Sequence, residues 1–500
     1  MIFLIALITG ALSALAFQPI GFAPLMVIAF AVLCELIART GRMRSALLLG
    51  WAFGLGQFTV GLNWIATAFT YQAAMPAWLG WIAVVLLSFY LAVFQMLAVG
   101  LAWRFGRERP LALVLALAGG WIVAEYLRAV IFTGFAWNPV GVTLVDTPLL
   151  SASGLIGTYG VSGMVVALGG ALWLVVRKQW KPALGLLAAS ILLALPLRFA
   201  SITQSAKAQP RVRIVQPNIG QEDRWREGAA QAAEAKLLAM SGQPGIEPRL
   251  LLWPESAVTE PLDDDRPGAA GAITLQRANA AGAVGLNDVL AAGSVGLASR
   301  DGVHVSAARN SVFVLGPGGQ EIGRYDKAHL VPYGEYLPMR PLLSAIGLSR
   351  LAPGDLDFDA GPGPRTIALP GFGRMGLQVC YEIIFSGDVV DRHDRPDFIF
   401  NPSNDSWFGR WGPPQHLAQA RMRAAEEGIP VLRATPTGIS AVVDANGKLL
   451  QSLAWHKAGV IDARLPPARA PTPFAMLGNL LPLLAALGLV IAAMWLSRRR

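Results

Sequence analysis

Three ionisable side chains follow short apolar segments in the second half of the sequence. Glu255 comes shortly after the run 250–253, Lys327 comes after a predicted hairpin, and Cys380 ends the alternating run 375–379. Strand ends that meet at one edge of a sheet are the usual place for a site in α/β proteins. A carboxylate, an ammonium and a thiol at such an edge would supply a base, a cation for an oxyanion and a nucleophile. We therefore predict acyl-transfer chemistry.

Each of these residues also has a simpler interpretation. An isolated cysteine is most often a small buried hydrophobic residue. A glutamate after Trp253 and Pro254 is usually a loop carboxylate, and a lysine after a hairpin is usually a solvated cation. The sequence contains one other cysteine, Cys34, which lies within an apolar segment. The chemical interpretation therefore requires that the fold bring the three residues together.

The segment from about 205 to 470 has the composition of a globular domain. Short apolar runs that predict buried strands alternate with helical patterns, which is typical of an α/β fold. The stretch 316–319, Gly-Pro-Gly-Gly, separates two strands and predicts a hairpin turn. The predicted strands are 212–215, 250–253, 289–292, 311–315, 321–325, 375–379, 398–400, 431–432, 441–443 and 448–450, and the predicted helices are 228–241, 270–282 and 413–427.

Long apolar runs dominate the rest of the chain. Of the 500 residues, 54% are hydrophobic and only 15% are charged, which differs strongly from the average soluble protein. A helix needs about 20 apolar residues to cross a bilayer. We predict a polytopic membrane domain with eight transmembrane helices, near 2–17, 20–38, 46–70, 77–103, 111–132, 157–176, 182–199 and 474–496.

Arginine and lysine residues follow every second apolar run. Basic groups come after the second, fourth, sixth and eighth runs, whereas the loops after the first and third runs contain no Lys or Arg. By the positive-inside rule, both termini are then cytoplasmic and the long segment before the last helix lies on the opposite side. The predicted domains are 1–204 with seven helices, 205–470 as the catalytic domain, and 471–500 with the eighth helix and a basic tail.

Several other classes of protein do not fit this sequence. The net charge of +9 does not indicate nucleic-acid binding, because the basic residues lie in short groups between apolar runs. The two cysteines lie in such different settings that they do not predict a disulfide framework, and no Cys-x-x-Cys or His-x-x-x-His spacing indicates zinc. No Gly-Lys-Ser/Thr follows a Gly-rich loop, so a P-loop is not predicted. We predict a reaction without a metal or a cofactor.

Six stretches of the soluble segment share their order with a known enzyme superfamily. They are Gln216-Pro217-Asn218-Ile219, Trp253-Pro254-Glu255-Ser256, Tyr325-Asp326-Lys327 with 329–336, Cys380-Tyr381-Glu382, 401–409 and 433–440. In these stretches the sequence closely resembles the carbon-nitrogen hydrolase (nitrilase) superfamily. Within that superfamily it resembles the integral-membrane branch, the apolipoprotein N-acyltransferases. The resemblance implies a nitrilase-like αββα sandwich flanked by seven helices before it and one after it, with Glu255, Lys327 and Cys380 in the catalytic order.

The resemblance also implies a two-step reaction. Glu255 would deprotonate Cys380, whose thiolate would attack the sn-1 ester of a phospholipid, with phosphatidylethanolamine as the expected donor. Lys327 would stabilise the oxyanion, with help from a backbone N–H near Tyr381. The α-amine of a diacylglyceryl-cysteine of an apolipoprotein would then take the acyl chain from the thioester. A multi-pass protein of the bacterial inner membrane is implied, with its catalytic domain in the periplasm.

Four further residues receive supporting roles from the same resemblance. Glu335 would orient Lys327 or complete the carboxylate shell, Tyr381 and Glu382 would shape the pocket beside the thiol, and Trp225 would contact an acyl chain or a headgroup. The simpler interpretation of Glu335 is a capping or loop carboxylate, and that of Trp225 is an apolar surface anchor. His416, on a predicted helix, is interpreted as structural or exposed.

Two prolines depart from the family pattern. Pro436 replaces an expected asparagine, and Pro402 replaces a more usual apolar residue. The sequence leaves open whether either change affects activity.

Polar residues near the apolar runs are candidates to line a passage for lipid substrates. Hydrogen bonding between helices is an equally good explanation for them. For Arg128, with Glu125 one turn away, a snorkelling interfacial pair is the simpler interpretation. The candidates are Gln57, Asn63, Arg128, Trp137 and Asn138.

Two alternative functions remain open at this point. A membrane-tethered hydrolase would pass the acyl group to water, but it gives no reason for eight membrane spans. A scaffold or lipid transporter with an inactive hydrolase-like domain would be expected to lack one of the three reactive residues, and all three are present.

Overall fold

Helices form most of the first 195 residues and the C-terminal segment. The structure is a computed structural model that describes residues 1–71, 76–195, 209–223, 227–345 and 356–498. Its α-helices are α1 (Ile2–Ser13), α2 (Pro24–Ala38), α3 (Met43–Gly61), α4 (Ile65–Ala68), α5 (Leu79–Gly106), α6 (Pro110–Val130), α7 (Ser153–Val176), α8 (Trp180–Ala194), α9 (Ala229–Ser241), α10 (Ala270–Ala280), α11 (Arg340–Ala345), α12 (Gly412–Glu427), α13 (Pro473–Leu477) and α14 (Leu480–Arg498).

Every predicted apolar run contains a helix, but the helices differ in length. Four are long and apolar enough to cross a membrane, namely Leu79–Gly106, Pro110–Val130, Pro148–Val176 and Leu480–Arg498. Shorter apolar helices occupy Ile2–Ala16, Pro24–Ala38 and Trp180–Ala194, and α3 has 19 residues. Length and composition therefore indicate a membrane protein with four candidate spans among the described residues, and the number of eight spans is not confirmed.

Glycines allow α1 and α3 to pack at very short distance. A Cβ atom at Gly56 would lie 2.0 Å from the backbone oxygen of Leu7, and one at Gly10 would lie 1.9 Å from that of Phe53. Small residues commonly allow this kind of close backbone approach between membrane helices. The close packing of α1 against α3 therefore depends on Gly10 and Gly56 having no side chain.

The segment after residue 209 forms two β-sheets. The strands are β1 (Arg211–Gln216), β2 (Arg249–Leu252), β3 (Asp263–Asp264), β4 (Val289–Ala298), β5 (Ala307–Leu315), β6 (Glu321–Asp326), β7 (Thr366–Leu369), β8 (Gly373–Leu377), β9 (Phe398–Pro402), β10 (Val431–Ala434), β11 (Ala441–Val443), β12 (Leu449–Ser452) and β13 (Gly459–Arg464). The first sheet has the order β13-β1-β2-β4-β5-β6, with β3 paired to β4, and the second has the order β12-β11-β10-β9-β8-β7. Each predicted strand and helix of this segment overlaps an observed one, but β8 ends at Leu377, before the predicted end at 379, and β3, β7, β13 and α11 were not predicted.

The two sheets pack face to face. Ile214 and Val314 from the first sheet share one hydrophobic core with Leu377 and Phe400 from the second. Alternate residues of the first sheet, such as Phe313, point to its other face and pack with α9 and α10. This arrangement is the predicted α/β sandwich. The predicted boundary at 204 and 205 falls outside the described residues, so the division into domains stays a prediction.

Helix α12 lies between the sandwich and the membrane helices. Leu417 and Ala420 on one side belong to the core that the sheets share. Ala418 and Met422 on another side pack with residues of the apolar helices. One helix therefore contributes to both hydrophobic cores and joins the two parts of the protein.

We expect Gly56→Ala to lower the free energy of unfolding by about 1–3 kcal/mol, because the added methyl group would overlap the backbone of α1. The matched control is Gly185→Ala on α8, where nothing lies within 4 Å of the new Cβ, and alanine there should be neutral or slightly stabilising. Denaturant titration of the purified protein in detergent measures both changes. Equal effects of the two substitutions would contradict this account of the packing.

Candidate active site

The three predicted residues follow strands of both sheets. Glu255 follows β2 and Lys327 follows β6 in the first sheet, whereas Cys380 follows β8 in the second. Strand β8 ends at Leu377, and Cys380 begins a short 3₁₀ turn, Cys380–Ile384. Because the two sheets face each other, these strand ends bring the three side chains into one buried site.

Cys380 has a strained backbone. Its φ angle is 52°, in the left-handed region that non-glycine residues seldom occupy. Such a conformation costs on the order of 1–3 kcal/mol and is found where the surrounding structure enforces it, often at functional sites. The side chain is buried, with 4% of its surface exposed. The turn therefore presents the thiol in a fixed orientation.

Glu255, Lys327 and Glu335 form a buried network around one ammonium group. The Nζ atom of Lys327 lies 3.0 Å from Glu335 and 3.7 Å from Oε1 of Glu255. The amide of Asn310 donates to Oε1 of Glu255 at 2.8 Å and to Oε1 of Glu335 at 2.7 Å. The second carboxylate oxygen of Glu255 is buried and has no hydrogen-bond partner among the residues that the structure describes. That oxygen is available to accept a proton.

The charges of this network act on the pKa values of its members. Burial by itself would lower the pKa of Lys327, but Glu335 and Glu255 outweigh it and raise that pKa above its ordinary value. Lys327 is therefore a cation at neutral pH. Burial, and secondly the Glu255 carboxylate, raise the pKa of the Cys380 thiol well above its ordinary value, while Lys327 opposes them. The thiol in the resting site is thus protonated at neutral pH, with Glu255 and Lys327 close enough to act on it.

Glu382 holds the Cys380 turn against the Lys327 segment. Its Oε1 atom accepts from the hydroxyl of Tyr325 and from the backbone N–H groups of Ala328 and His329, at 2.8, 2.8 and 3.0 Å. Its Oε2 atom accepts from the N–H of Val379 at 2.7 Å. Burial raises the pKa of Glu382 despite these bonds. The carboxylate therefore connects the segments that carry the ammonium and the thiol.

A loop from the membrane helices closes one side of the site. The hydroxyl of Tyr381 donates to the backbone oxygen of Gly134 at 3.3 Å. Nε2 of His329 lies 3.1 Å from the backbone oxygen of Thr133, which only accepts, so that nitrogen carries a proton. The tyrosine side chain that was predicted to shape the pocket thus also binds this loop.

Arg128 and Glu125 do not form the snorkelling pair that was predicted from the sequence. Both are buried, and each binds backbone instead. Arg128 donates to the carbonyl oxygens of Phe135 and Trp137 at 2.9 and 2.8 Å, and Glu125 accepts from the N–H of Val140 at 2.8 Å. The loop needs these partners because its carbonyl and N–H groups are buried away from water.

Two buried polar residues next to Cys380, Asp405 and His416, were not predicted to belong to the site. Asp405, His416 and the thiol have candidate ligand atoms within 4.8 Å of one another. Nδ1 of His416 lies 2.9 Å from Asp405, and Nε2 lies 3.0 Å from the backbone oxygen of Cys380. Because a carbonyl oxygen only accepts, Nε2 is the protonated nitrogen. His416 therefore fixes the carbonyl of the strained cysteine.

Arg433 neutralises this cluster. Its Nη2 atom donates to both carboxylate oxygens of Asp405, at 2.7 Å each. Burial alone would raise the pKa of Asp405, but Arg433 and then His416 bring it below its ordinary value. Burial, together with Arg433, lowers the pKa of His416. A metal ion does not fit this donor set, because the guanidinium occupies both carboxylate oxygens.

Only part of this cluster had a signal in the sequence. Asp405 and Arg433 lie in stretches 401–409 and 433–440, which carried the family resemblance. His416 lies on α12, where a single histidine on a buried helix looks structural, and its contact with Cys380 depends on how α12 packs. Trp225, which was predicted to contact substrate, lies outside the described residues.

Comparisons with known proteins identify the family. Residues 9–171 match the model of the apolipoprotein N-acyltransferase N-terminal domain, and residues 211–471 match the model of the carbon-nitrogen hydrolase. An apolipoprotein N-acyltransferase of Bradyrhizobium diazoefficiens is 37% identical over 524 residues, with 99% of this chain and 95% of that protein covered. The enzyme of the same name from Rhodopseudomonas palustris is 35% identical, with the same two coverages of 99% and 95%.

The chain belongs to the apolipoprotein N-acyltransferase family. The predicted class, a membrane-associated acyltransferase with a nitrilase-like domain, is thereby confirmed. The individual roles of Glu255, Lys327, Cys380, Glu335, Tyr381 and Glu382 stay predictions.

The two unusual prolines fit the sandwich of this family member without breaking its strand pairing. Pro402 ends β9, where the N–H of the next residue, Ser403, bonds to Ala434 at 2.9 Å, so the proline nitrogen replaces no bond to β10. The carbonyl of Pro436 accepts from the N–H of Asn218 at 2.7 Å. Both prolines therefore lie where backbone contacts are retained.

The polar candidates for a lipid passage mostly have local partners. Gln57 contacts the sulfur of Met26 at 3.8 Å, and Asn63 bonds to the carbonyl of Val60 at 2.8 Å. The indole of Trp137 donates to Gln415 on α12 at 2.8 Å. Only Asn138, among these described residues, has a buried side-chain amide with no partner on either atom. For the other candidates, hydrogen bonding within the protein accounts for a polar residue at that position.

We expect Asp405→Asn to lower the free energy of unfolding by about 3–5 kcal/mol, because it leaves the buried Arg433 charge without its counter-ion. Asp359→Asn, at an exposed carboxylate, is the control and should leave the stability nearly unchanged. The two variants are compared by denaturant titration in detergent. A stable Asp405→Asn protein would show that the ion pair does not hold this region together.

Proposed function

We propose that this protein moves an acyl chain from the sn-1 position of a phospholipid, through a thioester on Cys380, to the α-amine of the diacylglyceryl-cysteine of an apolipoprotein. The family supports the overall reaction. The observation that supports the assignment of the residues is the common burial of a thiol, a free carboxylate oxygen and an ammonium. A base, a nucleophile and a cation are the groups that such a transfer needs.

In the first step, Oε2 of Glu255 takes the proton of the Cys380 thiol as the sulfur attacks the ester carbonyl. The carbonyl oxygen becomes an oxyanion, which the ammonium of Lys327 stabilises. The intermediate then collapses, the C–O bond to the glycerol breaks, and the leaving alkoxide takes the proton from Glu255. The products are a lysophospholipid and the acyl thioester of Cys380.

In the second step, the amine of the lipidated cysteine attacks the thioester carbonyl. Glu255 accepts a proton from the attacking nitrogen, and Lys327 again faces the oxyanion. The C–S bond breaks, an amide forms, and the thiolate recovers the proton. A thioester is a better acyl donor to an amine than the starting ester, which is why the covalent intermediate helps.

Burial of the site favours transfer over hydrolysis. Glu255 and Lys327 are 6% and 1% exposed, so few water molecules compete with the amine. Exclusion of water also strengthens the attraction between the ammonium and an oxyanion. Glu335 keeps Lys327 in position, and Glu382 keeps the thiol segment against the lysine segment.

The membrane helices give both lipid-anchored substrates access to the same surface. We propose the topology that the basic loops indicate, with eight spans, cytoplasmic termini and the sandwich on the periplasmic side of a bacterial inner membrane. Phosphatidylethanolamine is the proposed donor, and Trp225 is proposed to contact the acyl chain or the headgroup.

We expect Cys380→Ser to abolish formation of the acyl-enzyme and Cys34→Ala to leave activity unchanged, because only the first thiol lies in the site. Purified variants are incubated with a labelled phospholipid and a diacylated lipopeptide, and mass spectrometry follows the thioester and the N-acylated peptide. A thioester that is lost only to water would favour the hydrolase, and no thioester in the wild type would refute the proposed mechanism.

The pKa shift of Cys380 predicts opposite effects of Glu255→Gln on two reactions. The carboxylate raises the thiol pKa, so its removal should increase the thiolate fraction and speed alkylation by iodoacetamide between pH 7 and 9. Loss of the base should slow acyl transfer by about 10²–10⁴-fold. Alkylation and transfer are measured on the same preparation. A parallel loss of both would indicate a damaged site and not a missing base.

A further inference from the structure

A cavity lined by both charged and apolar residues lies at the edge of the second sheet opposite the Cys380 site. It has a volume of about 290 Å³ and is lined in part by Arg392, Arg395 and Glu427. Arg395 precedes β9 and Glu427 precedes β10, whereas Cys380 follows the end of the parallel strand β8. One strand length, on the order of 15 Å, separates the two edges. The cavity therefore shares no residue with the acyl-transfer site.

Glu427 is the reason to expect a ligand in this cavity. Its side chain is 1% exposed, and neither carboxylate oxygen has a hydrogen-bond partner in the described part of the chain. The guanidinium of Arg395 donates to the backbone oxygen of Glu427 and not to its carboxylate. A buried carboxylate without a partner is costly. A cationic hydrogen-bond donor from a ligand would satisfy it.

The charged residues near Glu427 differ in the partners that they bind. Glu426 is paired with Arg423, whose Nε lies 2.7 Å from it, and it also accepts from the hydroxyl of Ser386 at 2.8 Å. Arg392 donates one bond to the backbone, at 3.1 Å from the oxygen of Gly387. Nε of Arg395 has no partner among the described residues. Arg392, Arg395 and Glu427 therefore line the cavity together, with Asp388 acting on Arg392 and Asp397 acting on Arg395.

The mouth of the cavity lies beside the C-terminal membrane helix. Met476 lines the cavity and is 61% exposed. Leu477 and Leu480 are also exposed, and Leu480 begins α14, one of the four candidate spans. Exposed apolar side chains at the start of a spanning helix lie where lipid headgroups meet acyl chains. A ligand at this position can contact both the charged residues of the cavity and the exposed apolar side chains beside it.

We propose that this cavity binds the headgroup of a phospholipid that carries a primary ammonium, with its phosphate on Arg392 and Arg395 and its ammonium on Glu427. Arginine pairs well with phosphate oxygens. A primary ammonium donates hydrogen bonds to the carboxylate, whereas a choline headgroup has no N–H and a glycerol headgroup has no cation. The site goes beyond the proposed acyl transfer, because it contains no reacting group.

The ionisation of Glu427 is consistent with such a ligand. Burial, and then the neighbouring Glu426, raise the pKa of Glu427 to about 7. At neutral pH this carboxyl group is therefore partly protonated and partly ionised. A bound ammonium would favour the ionised form.

Photolabelling in nanodiscs tests the proposal. The full-length Cys380→Ala protein, which cannot form the thioester, is reconstituted with a phosphatidylethanolamine that carries a diazirine near its glycerol, and labelled peptides are mapped by mass spectrometry. Labels are expected in 387–396 and 471–480. Unlabelled phosphatidylethanolamine should displace them at about tenfold lower concentration than phosphatidylcholine or phosphatidylglycerol.

Two variants separate the ammonium contact from the phosphate contact. Glu427→Gln should remove the preference for phosphatidylethanolamine over phosphatidylcholine while labelling persists, and Arg392→Gln should weaken labelling by all three lipids. Arg300→Gln, at an exposed arginine away from the cavity, should change neither. Melting temperatures of the variants establish that each is folded. Absence of label in these two segments, or an unchanged lipid preference in folded Glu427→Gln, would overturn the proposal.

Discussion

The strained backbone at Cys380 is the constraint on which the rest of the site depends. A left-handed conformation at a non-glycine residue persists only when its neighbours enforce it. Here His416 holds the carbonyl of Cys380, and Glu382 holds the N–H of Val379 just before it. Both side chains are buried, so water does not compete for these bonds. The backbone on both sides of the Cys380 thiol is therefore fixed by buried hydrogen bonds.

Helix α12 couples this site to the membrane helices. It carries His416 towards the thiol, and Arg423 and Glu426 towards Thr158 on α7. These charges are tolerated in a buried helix because each has an opposite charge or a backbone partner nearby. Glu427 on the same helix also has arginines nearby, but neither of its carboxylate oxygens has a hydrogen-bond partner among the described residues. The proposed acyl-transfer site and the proposed lipid site thus share one element that belongs to both cores.

The loop that follows α6 is a second connection, besides α12, between the membrane helices and the Cys380 site. Arg128 binds two of its carbonyl groups, and the loop in turn binds Tyr381 and His329 beside the site. From the sequence, Arg128 looked like an interfacial cation, because hydropathy shows only that a charge lies near a helix end. Its actual role depends on buried carbonyl oxygens that come from a separate, irregular segment.

The sequence by itself determined the alternation of strands and helices, the apolar runs, and the order of Glu255, Lys327 and Cys380, because periodicity and motif spacing are local properties of the chain. It did not determine how many helices span the bilayer, since several apolar helices are short. Only the tertiary structure brought Asn310 to Glu255, His416 to Cys380, and Arg395 near Glu427. Those contacts join residues far apart in sequence, and they depend on how two sheets and α12 pack, which no local pattern records.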